Sequence, residues 1–377
     1  MVIAGAGPAG CAAAYYLVRA GIDVLLLDKS DFPRDKTCGD GLTPRAVGVL
    51  EDMGILDRIE PLAHRVDGLE FIGHDGKRII VSSKTKSPHP NYLLVIPRLV
   101  LDEIILQRAT DTGAKFIGNS RVMGVEDGDG RAQVTVQHGA NLSTYTASVV
   151  LMATGAVMGL PRAVGLIKRG LPEPMLAART YYENVKNLTN QIQIHFFDQI
   201  LPGYGWVFPI STSAANIGVG LGQMGANKGK RLRSLMEAFL KTPLLKQMLS
   251  QATQIGVVES YPLRSDFLTA STVKGRVLAI GESAGLVNPL TGDGIDFALE
   301  SGKLGAEFLL DQFNQGELRP ELFNQYDRIL RAHYQRKFIF FEMASRLLRY
   351  PTSLRAVFSV LERSRRARRL AVNVLLR

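Results

Sequence analysis

Short apolar runs and helix-period segments alternate at the start of the chain. Val2 to Ala4 read as a strand, Ala9 to Ala20 as a helix closed by Gly21, and Val24 to Leu27 as a second strand. The same order returns late: Val277 to Ile280 form an apolar run, Gly281 and Glu282 follow, Asn288-Pro289 makes a turn, and a helix starts near Ile295. Between them, "GLEFIG", "RIIVSS", "MLAARTYYEN", "QIQIHFFD", "YGWVFPI" and "NIGVGLG" carry strand alternation and turn spacing, which predicts an antiparallel sheet. Past about residue 320 the helical period takes over, and Pro351 separates two amphipathic stretches. The pattern predicts an α/β chain. A Rossmann-like domain would draw on 1–60, 95–160 and 270–320, an inserted antiparallel-sheet domain on 61–94 and 161–269, and a C-terminal helical region on 321–377.

Composition narrows this picture. With 377 residues, 46% of them hydrophobic, the chain can bury a substantial core. A net charge of +10 suits nucleic acid, a membrane surface or an anionic ligand. No nucleic-acid recognition motif accompanies the charge, so nucleic acid is not expected. Two cysteines, Cys11 and Cys38, rule against a disulfide scaffold and fit a reducing compartment. The six His, at 64, 74, 89, 138, 195 and 333, show no ligand spacing, so no metal is expected. No apolar run reaches membrane-spanning length, and the chain opens directly on a strand, so neither a span nor a targeting segment is expected.

The candidate chemistry begins with Gly5, Gly7 and Gly10 in G-x-G-x-x-G between the first strand and helix. That spacing permits a tight turn, close approach to a pyrophosphate and close helix–strand packing. Asp28 ends the second strand, placed to accept hydrogen bonds from a ribose diol. The ligand is then a dinucleotide, NAD or FAD. The second element, with Gly292 and Gly294 before the helix at Ile295, favours FAD, because another helix N-terminus can stabilise negative charge on a reduced flavin.

Together "GAGPAG", "FPRDKTCGDGLTPRAV", "IPRLVLDE", "LPGYGWVFP" and "GESAGLVNPLTGDGID" resemble the FAD-dependent geranylgeranyl reductase family of aromatic-hydroxylase-like flavoproteins. Within that family the likeness is nearest to bacterial menaquinone side-chain reductases. The resemblance implies an FAD site built from Gly5, Gly7, Ala9, Gly10, Asp28, Lys29, Val122, Gly281, Glu282, Gly292, Asp293, Gly294 and Ile295. It places Arg34 and Lys36 near the FAD, Cys38, Gly39 and Asp40 at the flavin ring, and Arg98 beside it, with Asp102 capping or orienting the following helix. Tyr204 and Trp206 would line a substrate tunnel, and Tyr204 or Cys38 would supply a proton. Two departures stand out. Val157-Met158 replaces the group's usual Asp-Gly, leaving NAD(P)H and ferredoxin both open as electron donor, and Glu282 replaces an Asp.

The implied activity is FAD-dependent reduction of double bonds in an isoprenoid chain, either a geranylgeranyl lipid or a prenylquinone. Two alternatives stay open: a flavin monooxygenase or halogenase of the same fold, and a non-catalytic membrane-associated flavoprotein. The segment from Arg363 to Arg377, with six Arg and no acid, suits peripheral contact with the inner face of a membrane by an otherwise cytoplasmic protein. An electron-donor protein is a further expected partner.

Overall fold

The computed structural model describes every residue except 84–89, 129, 168–173, 198, 223–227, 317 and 377, together with the side chains of 228–230. His89, Asp198 and Arg377 of the segments above lie outside the described residues.

The predicted first strand lies inside a six-stranded sheet. Its order is Val273–Lys274, Val277–Ala279, Val150–Met152, Val2–Ala4, Leu25–Leu27 and Lys115–Ile117. All pairings are parallel except the hairpin at the Val273 edge. Val2–Ala4 and Val150–Met152 are apolar without alternation because both faces of a parallel sheet are covered. One cover is the helix Pro8–Arg19, which starts with Pro at its first position and packs by its small residues Ala12, Ala13 and Ala14. The helix Ile295–Asn314 lies beside it in the same layer, and a three-stranded sheet of Ser120–Asp127, Ala132–His138 and Asn141–Ala147 shares the core. The predicted boundaries differ from the observed ones by one residue, as terminal turns fray.

A seven-stranded sheet forms the second layer, ordered Thr253–Leu263, Met175–Glu183, Ala215–Leu221, Gly203–Pro209, Ile192–His195, Gly68–Ile72 and Arg78–Ser82. It is antiparallel except where Ile192–His195 runs parallel to Gly68–Ile72. The edge strand Thr253–Leu263 is absent from the predicted set. Strand alternation sends Val207, Ile217 and Val219 to one face, where Leu232, Leu235 and Phe239 of the helix Lys228–Leu240 complete a core. The opposite face presents Tyr204, Trp206, Phe208 and Asn216.

The C-terminal region holds three helices rather than two. Asn324–Leu347 buries Tyr326, Leu330, Tyr334, Phe338 and Phe341. Pro351–Arg363 and Arg365–Leu376 pack Leu361, Val372 and Leu376 against Val66, Leu69, Ile79 and Val81. The unpredicted break is Ser364, extended at φ −124° and ψ 112°, whose hydroxyl accepts from the Ala367 N–H at 3.2 Å. Among the described residues no helix is long and apolar enough to cross a membrane.

Candidate active site

A cavity of about 1270 Å³ runs between the two large sheets and on to the C-terminal helices. Sites for one small molecule usually enclose about 300–1,000 Å³, so this one has room for a cofactor and a second ligand. Gly5, Gly7, Ala9, Asp28, Lys29 and Arg34 line one end, while Phe358, Leu361 and Leu375 line the other.

At the first end the chain turns at Gly5, with φ +109°, into the helix Pro8–Arg19. Gly10 is not on the cavity wall. Its role is packing, since a Cβ there would sit 1.9 Å from the Gly5 carbonyl oxygen. The first-turn N–H groups of this helix have no intrahelical acceptors and offer a site for phosphate. Asp28 is held by two backbone donors, accepting from Ala6 N–H at 2.7 Å and Ser30 N–H at 3.0 Å. Val122 and Lys29 complete the wall.

Arg34 and Lys36 are both tied to carboxylates. Arg34 Nη1 lies 2.8 Å from Asp102, and Lys36 Nζ lies 3.1 Å from Glu282 Oε2. The other Glu282 oxygen accepts from the Arg264 N–H at 3.1 Å. Asp102 does not cap a helix. It sits one turn inside the helix Arg98–Asp111 and takes two hydrogen bonds of 2.6 Å from the buried Arg98 guanidinium. Burial alone would raise the Asp102 carboxyl, but Arg98, Arg34 and Lys36 together outweigh that and hold it below the usual carboxylate range. Arg98 still reaches the cavity, as does Glu282, whereas Gly281 packs behind it near Ala9 and Ala298.

In the middle of the cavity the loop at Cys38, Gly39 and Asp40 lies against the seven-stranded sheet. Gly39 permits this contact, since a Cβ would meet Phe208 at 2.9 Å. Asp40 is fully buried, with a left-handed backbone at φ +68°. Its Oδ2 accepts from Tyr181 Oη and Asn216 Nδ2, each at 2.7 Å, and its Oδ1 from the Arg98 N–H at 3.3 Å. Burial pushes the Asp40 carboxyl up to about 6, against the pull of these donors. Asn216 Nδ2 also donates to the Cys38 carbonyl at 2.7 Å, and Asn216 Oδ1 accepts from Trp206 Nε1 at 2.9 Å. One buried amide thus ties the loop to two strands. Burial raises the Cys38 thiol, so it is protonated at neutral pH.

Tyr204, Trp206 and Phe208 form an aromatic wall, successive ring centroids lying 6.1 Å apart. The Tyr204 hydroxyl donates to the Thr291 carbonyl, which fastens this wall to the turn carrying Gly292, Asp293 and Gly294. All three turn residues and Ile295 line the cavity. Burial, then the nearby Asp296 charge, pushes the Asp293 carboxyl well above its usual range.

Asn216, Tyr181 and Arg264 were not singled out from the sequence. Asn216 alone left a trace, as a polar residue facing the buried side of the apolar strand Ala215–Leu221. The residues fit FAD. A helix N-terminus and a backbone-fixed carboxylate stand at one end, a second Gly turn and helix start stand in the middle, and the cavity joins them.

This combination of a parallel sheet carrying a dinucleotide turn and an antiparallel sheet across the cavity is that of an FAD-dependent oxidoreductase. The chain belongs to the FAD binding domain family, whose model matches residues 1–338. It is 34% identical to the menaquinone reductase of Mycobacterium tuberculosis, over all of this chain and 90% of that protein. It is 28% identical to the digeranylgeranylglycerophospholipid reductase of Methanococcus vannielii, over 89% of this chain and 83% of that one. Among solved structures, a geranylgeranyl bacteriochlorophyll reductase-like protein from Thermoplasma acidophilum superposes with a TM-score of 0.85 at 21% identity, covering 100% of this chain and 95% of that one. The halogenase CndH superposes at 0.75 with 22% identity, over 90% of this chain and 80% of that one, which places it within the same fold.

Proposed function

We propose that this enzyme reduces double bonds in an isoprenoid chain, carried by a prenylquinone or a geranylgeranyl lipid. The observation that carries this reading is the continuity of the cavity: the turns at Cys38 and Gly292 open directly onto an apolar end lined by the C-terminal helices. Its similarity to reductases of menaquinone and of digeranylgeranylglycerophospholipid supports the same substrate class. In this reading residues 1–60, 95–160 and 270–320 form the flavin domain, 61–94 and 161–269 the substrate domain, and 321–377 the helical region.

When bound and reduced, FAD supplies a hydride for one alkene carbon. The chain's residues do the rest. The helix at Pro8, with Asp28, Arg34 and Lys36, holds the nucleotide half. Cys38, Gly39, Asp40, Gly292, Asp293 and Gly294 would hold the ring. Trp206 and Tyr204 form the wall that keeps water from the alkene. Tyr204, whose hydroxyl donates a hydrogen bond to the Thr291 carbonyl, or Cys38, both on the cavity wall, is the acid for the second alkene carbon. The electron donor is a nicotinamide or a ferredoxin, and anaerobic titration with each separates them.

The test is anaerobic. Pre-reduced enzyme is mixed with prenylquinones and geranylgeranyl lipids, and flavin absorbance and product mass are followed. Reoxidation with a gain of two hydrogens in the side chain is expected. Flavin that stays reduced with every such substrate refutes the assignment.

A further inference from the structure

The charge of this chain is not spread over it. Residues 324–377 hold thirteen Lys or Arg against three Asp or Glu, a net +10. The whole chain holds 45 against 35, also +10, so the first 323 residues carry 32 of each and are neutral. All the excess therefore lies in this C-terminal stretch of the sequence. Arg336, Arg349, Arg355, Arg365, Arg366 and Arg369 are exposed there.

The same helices expose apolar side chains. On Asn324–Leu347, helical spacing aligns Ile339, Met343 and Leu347 in one stripe, with Tyr350 just beyond, and all four are exposed. Met343 is 64% exposed. The neighbouring stripe, Phe340, Ala344 and Leu348, faces the cavity. Phe340 is 49% exposed and Leu370, on the last helix, 64% exposed, yet both belong to the cavity lining. The cavity thus has a mouth here, its rim apolar and surrounded by arginines.

We infer that the three C-terminal helices are a docking face for an anionic bilayer and that the cavity mouth within it is the portal for the substrate chain. The inference rests on the isoprenoid reading given above. Charge complementarity selects the partner: arginines favour anionic headgroups, while Met343, Leu347, Tyr350 and Leu370 enter the boundary below them. A nucleic acid would use the arginines but has no need of the apolar stripe. Entry through this mouth lets a long chain pass from the lipid into the cavity without crossing water.

The test uses the FAD-loaded full chain with phosphatidylcholine vesicles, with and without phosphatidylglycerol. Cosedimentation is expected with the anionic vesicles and is weakened by salt. Replacing Arg365, Arg366 and Arg369 together by Gln is expected to weaken binding about 100-fold, at roughly fivefold per arginine. Met343→Ser with Leu347→Ser is expected to weaken it about tenfold or more. All five side chains are exposed, so the melting temperature should not move. In the same variants, turnover of a vesicle-held prenylquinone should fall in step with binding, while turnover of a short-chain, detergent-solubilised analogue stays at the wild-type rate. Equal binding to neutral and anionic vesicles, or binding untouched by either variant, overturns the docking face. Equally tight binding to duplex DNA that ignores the Met343 and Leu347 changes also overturns it. Lost binding with unchanged vesicle turnover overturns the portal. Should neither substrate reoxidise the flavin while vesicle binding behaves as stated, the reductase assignment fails and the docking face stands.

Discussion

Replacing Asp40 by Asn removes a fully buried carboxylate where the loop at Cys38 meets the seven-stranded sheet. Asn tolerates the left-handed backbone at this position. It keeps an acceptor oxygen but puts an amide where a second acceptor stood, so one of the Tyr181, Asn216 or Arg98 donors loses its partner. That costs about 1–3 kcal/mol where the wild-type carboxyl is ionised. The pH dependence carries the sharper information. The folded carboxyl titrates at about 6, against about 3.9 for an unfolded Asp. A raised acid holds its proton more tightly in the native state, so its contribution is fullest at low pH and is lost as pH rises through 6. Above that, keeping the charge buried costs about 3 kcal/mol, at roughly 1.4 kcal/mol per pKa unit. Between about pH 8 and about pH 5 the wild type should gain about 1.4 kcal/mol relative to Asp40→Asn from this group alone. Urea unfolding of both flavin-free proteins at the two pH values measures it, other titrations cancelling in the difference. A wild-type-minus-variant stability that is the same at both pH values refutes the argument that burial governs this carboxyl.

Three further substitutions probe the same site. Gly10→Ala drives a methyl into the Gly5 carbonyl and displaces the first helix from its turn; overpacking costs about 1–3 kcal/mol, so FAD affinity should drop about 10–100-fold, read by titrating the apoprotein with FAD. Asn216→Ala strips partners from Cys38 O, Asp40 Oδ2 and Trp206 Nε1; a lower melting temperature and a loss of about 3 kcal/mol in urea are expected, with kcat falling more than KM rises. Glu282→Gln keeps an acceptor for the Arg264 N–H but removes the charge facing Lys36; that pair is partly screened, so FAD affinity should fall only about fivefold, for about 1 kcal/mol.

Much of this arrangement is legible in the residues because the physics is local. Continuous apolar runs at Val2 and Val277 mark buried strands, and glycines mark the two turns that line the cavity. The Thr253–Leu263 strand is less legible. It lies at a sheet edge, and its outer residues, Gln254, Gly256 and Glu259 among them, break the alternation that betrays a half-buried strand. The break at Ser364 carries no Gly or Pro to announce it. Asp102 looks like a helix-capping acid because its spacing to Arg98 does not reveal that the loop arginine, Arg34, also reaches it. Asn216 is the deepest omission. It meets Cys38 across 178 positions of chain, a contact that no local pattern encodes.

That long-range contact governs how the molecule can breathe. The amide of Asn216 acts as a rivet through both layers, with Asp40 and Tyr181 clenched on it. Prising the layers apart there would strand several buried polar atoms at once, so thermal opening is confined to the ends of the crevice. On the function proposed above, nucleotide exchange would use the Lys29 side and hydrocarbon traffic the opposite end, two doorways that need never be ajar together.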